Sequence, residues 1–234
     1  MSYLSRDGSP LSEQLWKEID QTVVQTARNV LVGRKFLHIF GPLGIGTDSV
    51  PVDDIELLEE VFDDGIMTTK GRKHVEIPMI YDDFTLYAKD LEASKKLGYP
   101  VDLSTAAYSA ESCARKEDKL IFYGNTKYGY EGLLTASGTN KIIKKDWSLG
   151  ENAFSDIASA IKLFNQKGIY GTYSLILSPD LYFQLQRIQP GTGVLEIERI
   201  SKLLNGNVFF STVLETETAL IVCSDPRYMD LVIG

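Results

Sequence analysis

The segment between residues 48 and 75 constrains the fold most, because its charges leave it little apolar surface to bury. The stretch 48–64 holds eight acidic residues and no basic one, whereas 70–74 reads KGRKH. With Gly65 and Gly71 as turn points, this pattern predicts a long, poorly buried hairpin, or arm. Two interpretations stay open. The arm is either a solvated loop or a limb that becomes ordered by pairing with a neighbouring subunit, its segregated charges fixing the register.

A glycine-rich stretch precedes the arm. Residues 31–46 read LVGRKFLHIFGPLGIG and end in the spacing G-x-x-G-x-G. A phosphate-binding loop needs a buried strand before it and a helix after it. Here a predicted helix that stops near Gly33 comes first, Pro42 removes one donor, and an acidic segment without a following lysine comes next. We therefore interpret these glycines as a bend that requires small residues.

The rest of the chain predicts an α+β fold, because helical and strand patterns mix without a regular βαβ rhythm. Helix signals are periodic apolar residues, capping residues and terminal glycines. The predicted helices run from Ser9 or Ser12 to Gly33, from Asp102 or Ser104 to Gly124, over 154–164 with Gly168 after the end, from Ser178 and Pro179 onward, and over 194–204; the predicted strands are 172–177, 207–213, 218–224 and 229–234.

Composition limits the function classes. The chain has 234 residues, 44% of them hydrophobic, and a formal net charge of −8, opposite to the basic footprint of a nucleic-acid binder. Two cysteines provide no disulfide framework, which fits a reducing cytoplasm. The first residues contain no apolar signal core, and no apolar run approaches the ~18 residues of a membrane span. We therefore expect neither a membrane nor a nucleic-acid partner.

The sequence offers no recognisable catalytic grouping. Its two histidines, His38 and His74, lie outside any metal-ligand spacing. Glu117 and Asp118 are adjacent, so on a helix they point in different directions and do not form an acid and base pair. Cysteines on a helix and within a strand are typical of inert small hydrophobes. We predict no enzyme, no cofactor and no metal site.

Several motifs occur in a family-specific order. They are SPLSEQLWKEID, LVGRKFLHIFGPLGIG, IPMIYDDFTL, EDKLIFYG with YGYEGLL, and LSPDLYFQLQRI through GVLEIERI. Over nearly the whole chain they resemble the family 1 encapsulin shell proteins, once called linocin-type bacteriocins. The resemblance implies the Hong Kong 97-type phage major-capsid fold, with a peripheral domain over 1–47, 76–132 and 219–234, an extended loop over 48–75 and an axial domain over 133–218.

The resemblance also implies a function. Such subunits form closed icosahedral shells in the cytoplasm around a cargo enzyme that carries a short C-terminal targeting peptide. Ferritin-like proteins, haemerythrin-like proteins and dye-decolourising peroxidases are the expected cargos, so iron storage, ion transport and oxidative-stress defence are the expected processes. Two alternatives remain: a prophage major capsid protein that encloses DNA, and a soluble hydrolase with an unrecognised site.

The chain also differs from the family that it resembles. The family continues for several strands beyond MDLVIG. Some members bind flavin at an aromatic residue, whereas this chain has Tyr87, Ala88 and Lys89 in that stretch, so we expect no flavin here.

The same resemblance implies two sites on this chain. The implied cargo-peptide groove consists of Val30, Leu31, Arg34, Ile39 and Leu231, and the implied pore lining consists of Arg187, Ile188, Gln189, Pro190, Gly191, Thr192 and Gly193.

Overall fold

Helices and short strands alternate irregularly along the chain. The computed structural model describes residues 5–53, 57–189 and 191–234. The elements are α1 (Glu13–Val30), α2 (Gly33–Phe36), β1 (His38–Phe40), β2 (Ser49–Asp53), β3 (Glu59–Asp63), β4 (Ile66–Lys70), β5 (Arg72–Glu76), α3 (Ala88–Leu97), α4 (Ser104–Tyr123), β6 (Gly124–Asn125), a 3₁₀ turn (Thr126–Tyr128), β7 (Tyr130–Glu131), α5 (Asn152–Gln166), β8 (Tyr173–Leu177), α6 (Pro179–Gln184), α7 (Glu196–Leu203), β9 (Val208–Phe210), β10 (Ala219–Cys223) and β11 (Asp230–Val232).

Helix α1 begins as the sequence predicts but ends earlier. Ser12 is its N-cap, and its hydroxyl accepts a hydrogen bond from the backbone N–H of Leu15. The predicted stop at Gly33 is wrong, because α1 ends at Val30 and Gly33 opens α2. A Cβ on Gly33 would collide with the end of the Ile121 side chain, so close packing explains this glycine better than helix termination does.

The long helix α4 packs against α1, and the two helices form the main helical part of the molecule. The Asp102 carboxylate accepts a hydrogen bond from the Ser104 N–H at 2.9 Å, and Gly124 follows the last helical residue with φ +67°. The helix therefore begins and ends where the sequence predicts, but the prediction of Asp102 or Ser104 as the N-cap is wrong, because Leu103 occupies that position. Small residues on the buried face, among them Ala106, Ala110 and Ala114, allow the two helices to approach closely.

The predicted arm is a hairpin in two paired sections. Strands β2 and β5 pair antiparallel, and β3 and β4 continue the arm to a tight turn at Asp64 and Gly65, both with positive φ. Gly71 lies in a turn between β4 and β5 with φ +80°, which confirms its prediction as a turn point, although the hairpin reverses only at Gly65. A Cβ there would lie 2.6 Å from backbone atoms of Leu57. Nearly all strand residues are exposed, which confirms the poorly buried hairpin.

The second half of the chain contains a three-stranded sheet covered by helices. Strand β8 is central, with β10 antiparallel on one side and β9 parallel on the other. Ser178 precedes α6 and Pro179 is its first residue, as predicted. Helix α5 ends at Gln166, and Gly168 has the positive φ of a C′ glycine. The larger core cluster lies here and includes Ile157, Leu175, Leu177, Leu181 and Ile200.

A second core cluster joins this sheet to the helical half. It contains Phe36 at the end of α2, Phe122 of α4 and Ile176 of β8. Beside it, β1 pairs in parallel with β11, and the chain then bends at Gly41, where a Cβ would collide with the carbonyl oxygen of Ile233. The bend interpretation of the glycine stretch is thus confirmed. Helix α3 is not predicted from the sequence; it buries no residue, so it leaves no apolar stripe to detect.

Candidate functional site

The arm exposes apolar side chains that its own subunit does not cover. Phe62 and Met67 are directly paired across β3 and β4, and they are 72% and 57% exposed, while Ile66 beside the turn is 65% exposed. Phe62 and Met67 share one face of this two-stranded ribbon and Ile66 lies on the other, and a ribbon of this kind is marginal in water by itself. An exposed apolar cluster of this kind marks an interaction surface.

Charge pairing stiffens the base of the arm. The Arg72 guanidinium donates two hydrogen bonds to the Asp53 carboxylate, at 2.7 and 2.9 Å, across the β2–β5 pair. This pairing lowers the pKa of Asp53 below its ordinary value and raises that of Arg72. Both groups face solvent, so the pair sets register more than it adds stability.

Four residues of the implied cargo groove lie on α1, α2, β1 and β11, and the fifth, Leu31, directly follows α1. Ile39 and Leu231 occupy directly paired positions of the parallel strands. Ile39 is exposed and Val30 half-buried, whereas Leu31 is buried and Leu231 packs against the second core cluster. The structure thus brings Ile39 and Leu231 together, and it leaves Leu31 little surface for a ligand.

Arg34 is exposed but paired. Its Nε and Nη2 donate to the two carboxylate oxygens of Glu117 at 2.6 and 2.8 Å. That contact raises the pKa of Arg34 above its ordinary value. In the described ranges, no acceptor contacts its Nη1, so the guanidinium retains donors for a further carboxylate.

An apolar strip extends beyond the residues that the sequence indicates. Phe40 is the last residue of β1, and Leu43 and Ile45 follow in the bend; all three are exposed, as Ile39 is. Alternating burial along a strand could not predict this strip, because β1 has three consecutive exposed residues. Since successive residues of a strand point to opposite faces, Phe40 lies on the face of β1 opposite to Ile39 and Leu231.

The implied pore residues form a short loop between α6 and α7. The backbone N–H of Gln189 donates to the Val194 carbonyl at 2.9 Å, and Ile188 bridges to Leu195. Gly191 and Gly193 both have positive φ, which explains the glycines. Ile188, Gly191, Thr192 and Gly193 are exposed at this tip, and Pro190 lies outside the described residues.

Two of the implied pore side chains are directed into their own subunit. The Arg187 guanidinium donates to the buried Glu196 carboxylate at 2.8 Å and to the carbonyls of Ser148 and Gly150. The side chain of Gln189 is buried and donates to the same Gly150 carbonyl at 3.2 Å. These contacts attach the loop to the segment before α5, and they leave the tip itself without a charged side chain among its described residues.

Asp118 is the buried carboxylate that sequence reasoning missed. It is 1% exposed and accepts hydrogen bonds from the backbone N–H groups of Val32 and Gly33, each at 2.9 Å in its shorter contact. Burial raises the pKa of Asp118 above its ordinary value, although these N–H groups oppose that shift. Asp118 thereby fixes the start of α2 beside Arg34, and its neighbour Glu117 orients the Arg34 guanidinium.

Within the described ranges, no helix is both long and apolar enough to cross a membrane. The same residues include no group of three or more His, Cys, Asp or Glu side chains arranged to hold a metal ion. His38 instead contacts the Asp230 carboxylate through Nδ1 at 2.7 Å.

Comparison with known structures defines the fold. The crystal structure of a virus-like particle from Pyrococcus furiosus superposes with a TM-score of 0.73 at 19% identity, covering 94% of this chain and 84% of that one. The chain therefore has an α+β, capsid-like fold of the Hong Kong 97 type, which confirms the predicted fold class.

Sequence comparison defines the family. The family model described as "Encapsulating protein for peroxidase" matches residues 1–234. The type 1 encapsulin shell protein EncA of Myxococcus xanthus is 40% identical over 99% of this chain and 83% of its own length. A diheme-cytochrome-encapsulin shell fusion protein of Kuenenia stuttgartiensis is also 40% identical, and the chain spans 63% of it. The chain belongs to the family 1 encapsulin shell proteins.

Proposed function

We propose that this chain is the subunit of a type 1 encapsulin nanocompartment, which self-assembles in the cytoplasm into a closed icosahedral shell around a cargo enzyme. The arm is the observation that carries the proposal. It is an ordered hairpin whose tip exposes Phe62, Ile66 and Met67, so its apolar surface requires a second copy to cover it. Membership of the shell-protein family supports the same conclusion.

The subunit's part in the function is structural. Its described residues present no metal cluster, and its buried carboxylates Asp118, Asp156 and Glu196 each accept from donors of the same chain, Glu196 through Oε2 alone. The chemistry therefore belongs to the enclosed enzyme. Relatives named as a ferritin-like fusion and as a diheme-cytochrome fusion support redox or iron-handling cargo. We propose iron storage or oxidative-stress defence as the process.

The cargo peptide binds at the surface that begins at Ile39. Ile39 and Leu231 offer apolar contacts, and Arg34 offers spare donors for the peptide's carboxylate. The tip formed by Ile188, Gly191, Thr192 and Gly193 lines a pore where symmetry-related copies meet. Its small, uncharged residues permit close approach of neighbouring copies and passage of small ions.

Co-expression with the adjacent genes tests the cargo proposal. Mass spectrometry of purified particles identifies the copurifying protein, and the variant Ile39→Glu is compared with Ile39→Val. We expect both variants to form particles, with Ile39→Glu retaining about tenfold less cargo, because a charge enters an apolar contact. Equal cargo in the two variants would exclude this surface as the binding site, and particles filled with DNA would overturn the nanocompartment assignment.

A further inference from the structure

A cavity of about 580 Å³ lies between α5 and the three-stranded sheet. Its volume falls within the ~300–1,000 Å³ typical of small-molecule sites. The wall on the helix side includes Ala160, Leu163 and Phe164, and the wall on the sheet side includes Ile221 of β10 and Leu175 of β8. The lining is predominantly apolar, and none of the functional surfaces described above uses it.

The cavity is elongated along α5. Asp156 near the start of the helix and Lys167 just after its end both line it. At 1.5 Å per residue, these two positions are about 16 Å apart along the helix axis. An elongated apolar space of this kind fits a linear chain better than a flat ring system.

At one end of the cavity, the charged groups have hydrogen-bond or ion-pair partners within the subunit. The Asp156 carboxylate accepts hydrogen bonds from the Lys145 N–H at 2.8 Å and from the Trp147 Nε1–H at 3.0 Å. Lys144 is paired with Glu217 at 2.6 Å. These groups have their partners within the subunit, so this end gives no charge to a ligand.

The other end carries a cation with spare capacity. Lys167 Nζ donates to the Asn140 side-chain oxygen at 2.7 Å, and both residues line the cavity. Among the described residues, no carboxylate pairs with Lys167. An ammonium group has three donors, so one neutral acceptor leaves two of them and the full charge available.

We propose that this cavity binds an amphipathic carboxylate with a medium-length alkyl chain. The chain lies along α5 against Leu163, Phe164 and Ile221, where it removes apolar surface from water. The carboxylate head lies at Lys167, and the Asn140 amide N–H adds a second donor. This inference does not rest on the proposed shell function, because the cavity lies within one subunit.

Tryptophan fluorescence tests the proposal on the purified full chain. The protein has two tryptophans, and Trp147 lines the cavity, so the variant Trp16→Phe leaves Trp147 as the reporter. We expect dodecanoate to change its emission saturably, and dodecanol, which has no charge, to bind at least about tenfold more weakly. Absence of a saturable change in the assembled protein would overturn the proposal, as would equal binding of the alcohol.

Two matched lysine variants test the head-group position. Both lysines are exposed; Lys167→Gln removes the charge at the end of the cavity, whereas Lys162→Gln removes a charge from α5 that does not line the cavity. We expect about tenfold weaker dodecanoate binding for Lys167→Gln and unchanged binding for Lys162→Gln. Ala160→Phe, which fills the cavity, should abolish the signal. Equal affinities for the two lysine variants would contradict the proposed orientation.

Discussion

A single buried carboxylate fixes the start of α2. Asp118 accepts from the N–H groups of Val32 and Gly33, so its removal leaves two buried donors without an acceptor. We predict that Asp118→Ala lowers the free energy of unfolding by about 2–4 kcal/mol. Asp118→Asn should cost less, since the amide oxygen still accepts. Chemical denaturation measures both, and a change below about 0.5 kcal/mol in Asp118→Ala would refute this role.

A second carboxylate ties the segment after the arm to α4. Asp82 accepts from the Ser112 hydroxyl, from Lys116 Nζ at 2.9 Å and from the Asp83 N–H at 2.9 Å. These contacts, with that of Ser112 the largest, lower the pKa of Asp82 from 3.8 to about 2. The stabilisation is therefore complete above pH 3.8 and is lost as the pH falls through about 2.

Asp82→Asn tests this acid sensitivity. Because an amide does not titrate, we predict a smaller loss of stability between pH 4 and pH 2 than in the unmodified chain. Ser112→Ala should reduce the same slope partly, since it removes one donor. Urea unfolding across this pH range provides the measurement; identical pH profiles for Asp82→Asn and the unmodified chain would show that Asp82 does not contribute.

At the scale of elements, two glycines bring β6 and β7 together after α4. A Cβ on Gly132 would collide with the backbone of Gly124 and Tyr123, and none of these atoms can move without shifting the chain. We predict that Gly132→Ala costs at least about 2 kcal/mol of stability, from overpacking against backbone. Gly46→Ala is the matched control, because a Cβ at Gly46 meets nothing within 4 Å. Equal stability of the two variants would contradict this packing.

The tip of the arm exposes an aromatic side chain to solvent. Phe62 is largely exposed, so Phe62→Ser should leave the fold of the subunit unchanged and weaken assembly, because it removes an apolar contact to a neighbouring copy. Phe62→Leu, which keeps an apolar side chain, should assemble normally. Circular dichroism checks the fold and size-exclusion chromatography checks assembly. Normal particle formation by Phe62→Ser would show that the tip is dispensable.

Sequence patterns predict elements where the signal is local. The apolar stripe of α5, the Ser12 cap and the arm with its turn at Gly65 are all readable within a few residues. Gly33 is misread because its reason is distant: Asp118 and Ile121 lie on another helix, more than 80 residues away. The sequence does not predict helix α3, because none of its residues is buried and the helix therefore has no apolar stripe.

The candidate site is less accessible to sequence reasoning. The pairing of Ile39 with Leu231 joins strands from opposite ends of the chain, so no local pattern reveals it. Its prediction depends on family resemblance alone. The inward orientation of Arg187 depends on Glu196, whose burial is a tertiary property. A charged residue near a loop tip therefore cannot be assigned to a pore from the sequence alone, because its hydrogen-bond partners decide where its side chain is directed.

For the whole molecule, the proposed shell function depends on closed self-assembly of identical copies. The two core clusters give the subunit its own interior, whereas the arm and the strip from Ile39 to Ile45 leave apolar surface uncovered. Symmetric association of identical copies covers such surfaces without leaving an open edge. The subunit thus has buried cores of its own and also exposes apolar surface that a neighbouring copy can cover.

Mass photometry combined with negative-stain electron microscopy of the purified chain shows whether its copies assemble into a closed shell. We predict hollow particles of uniform diameter, with a mass that is a large, fixed multiple of the 26.1 kDa subunit. Monomers or small oligomers as the sole species, at concentrations where the fold is intact, would contradict it.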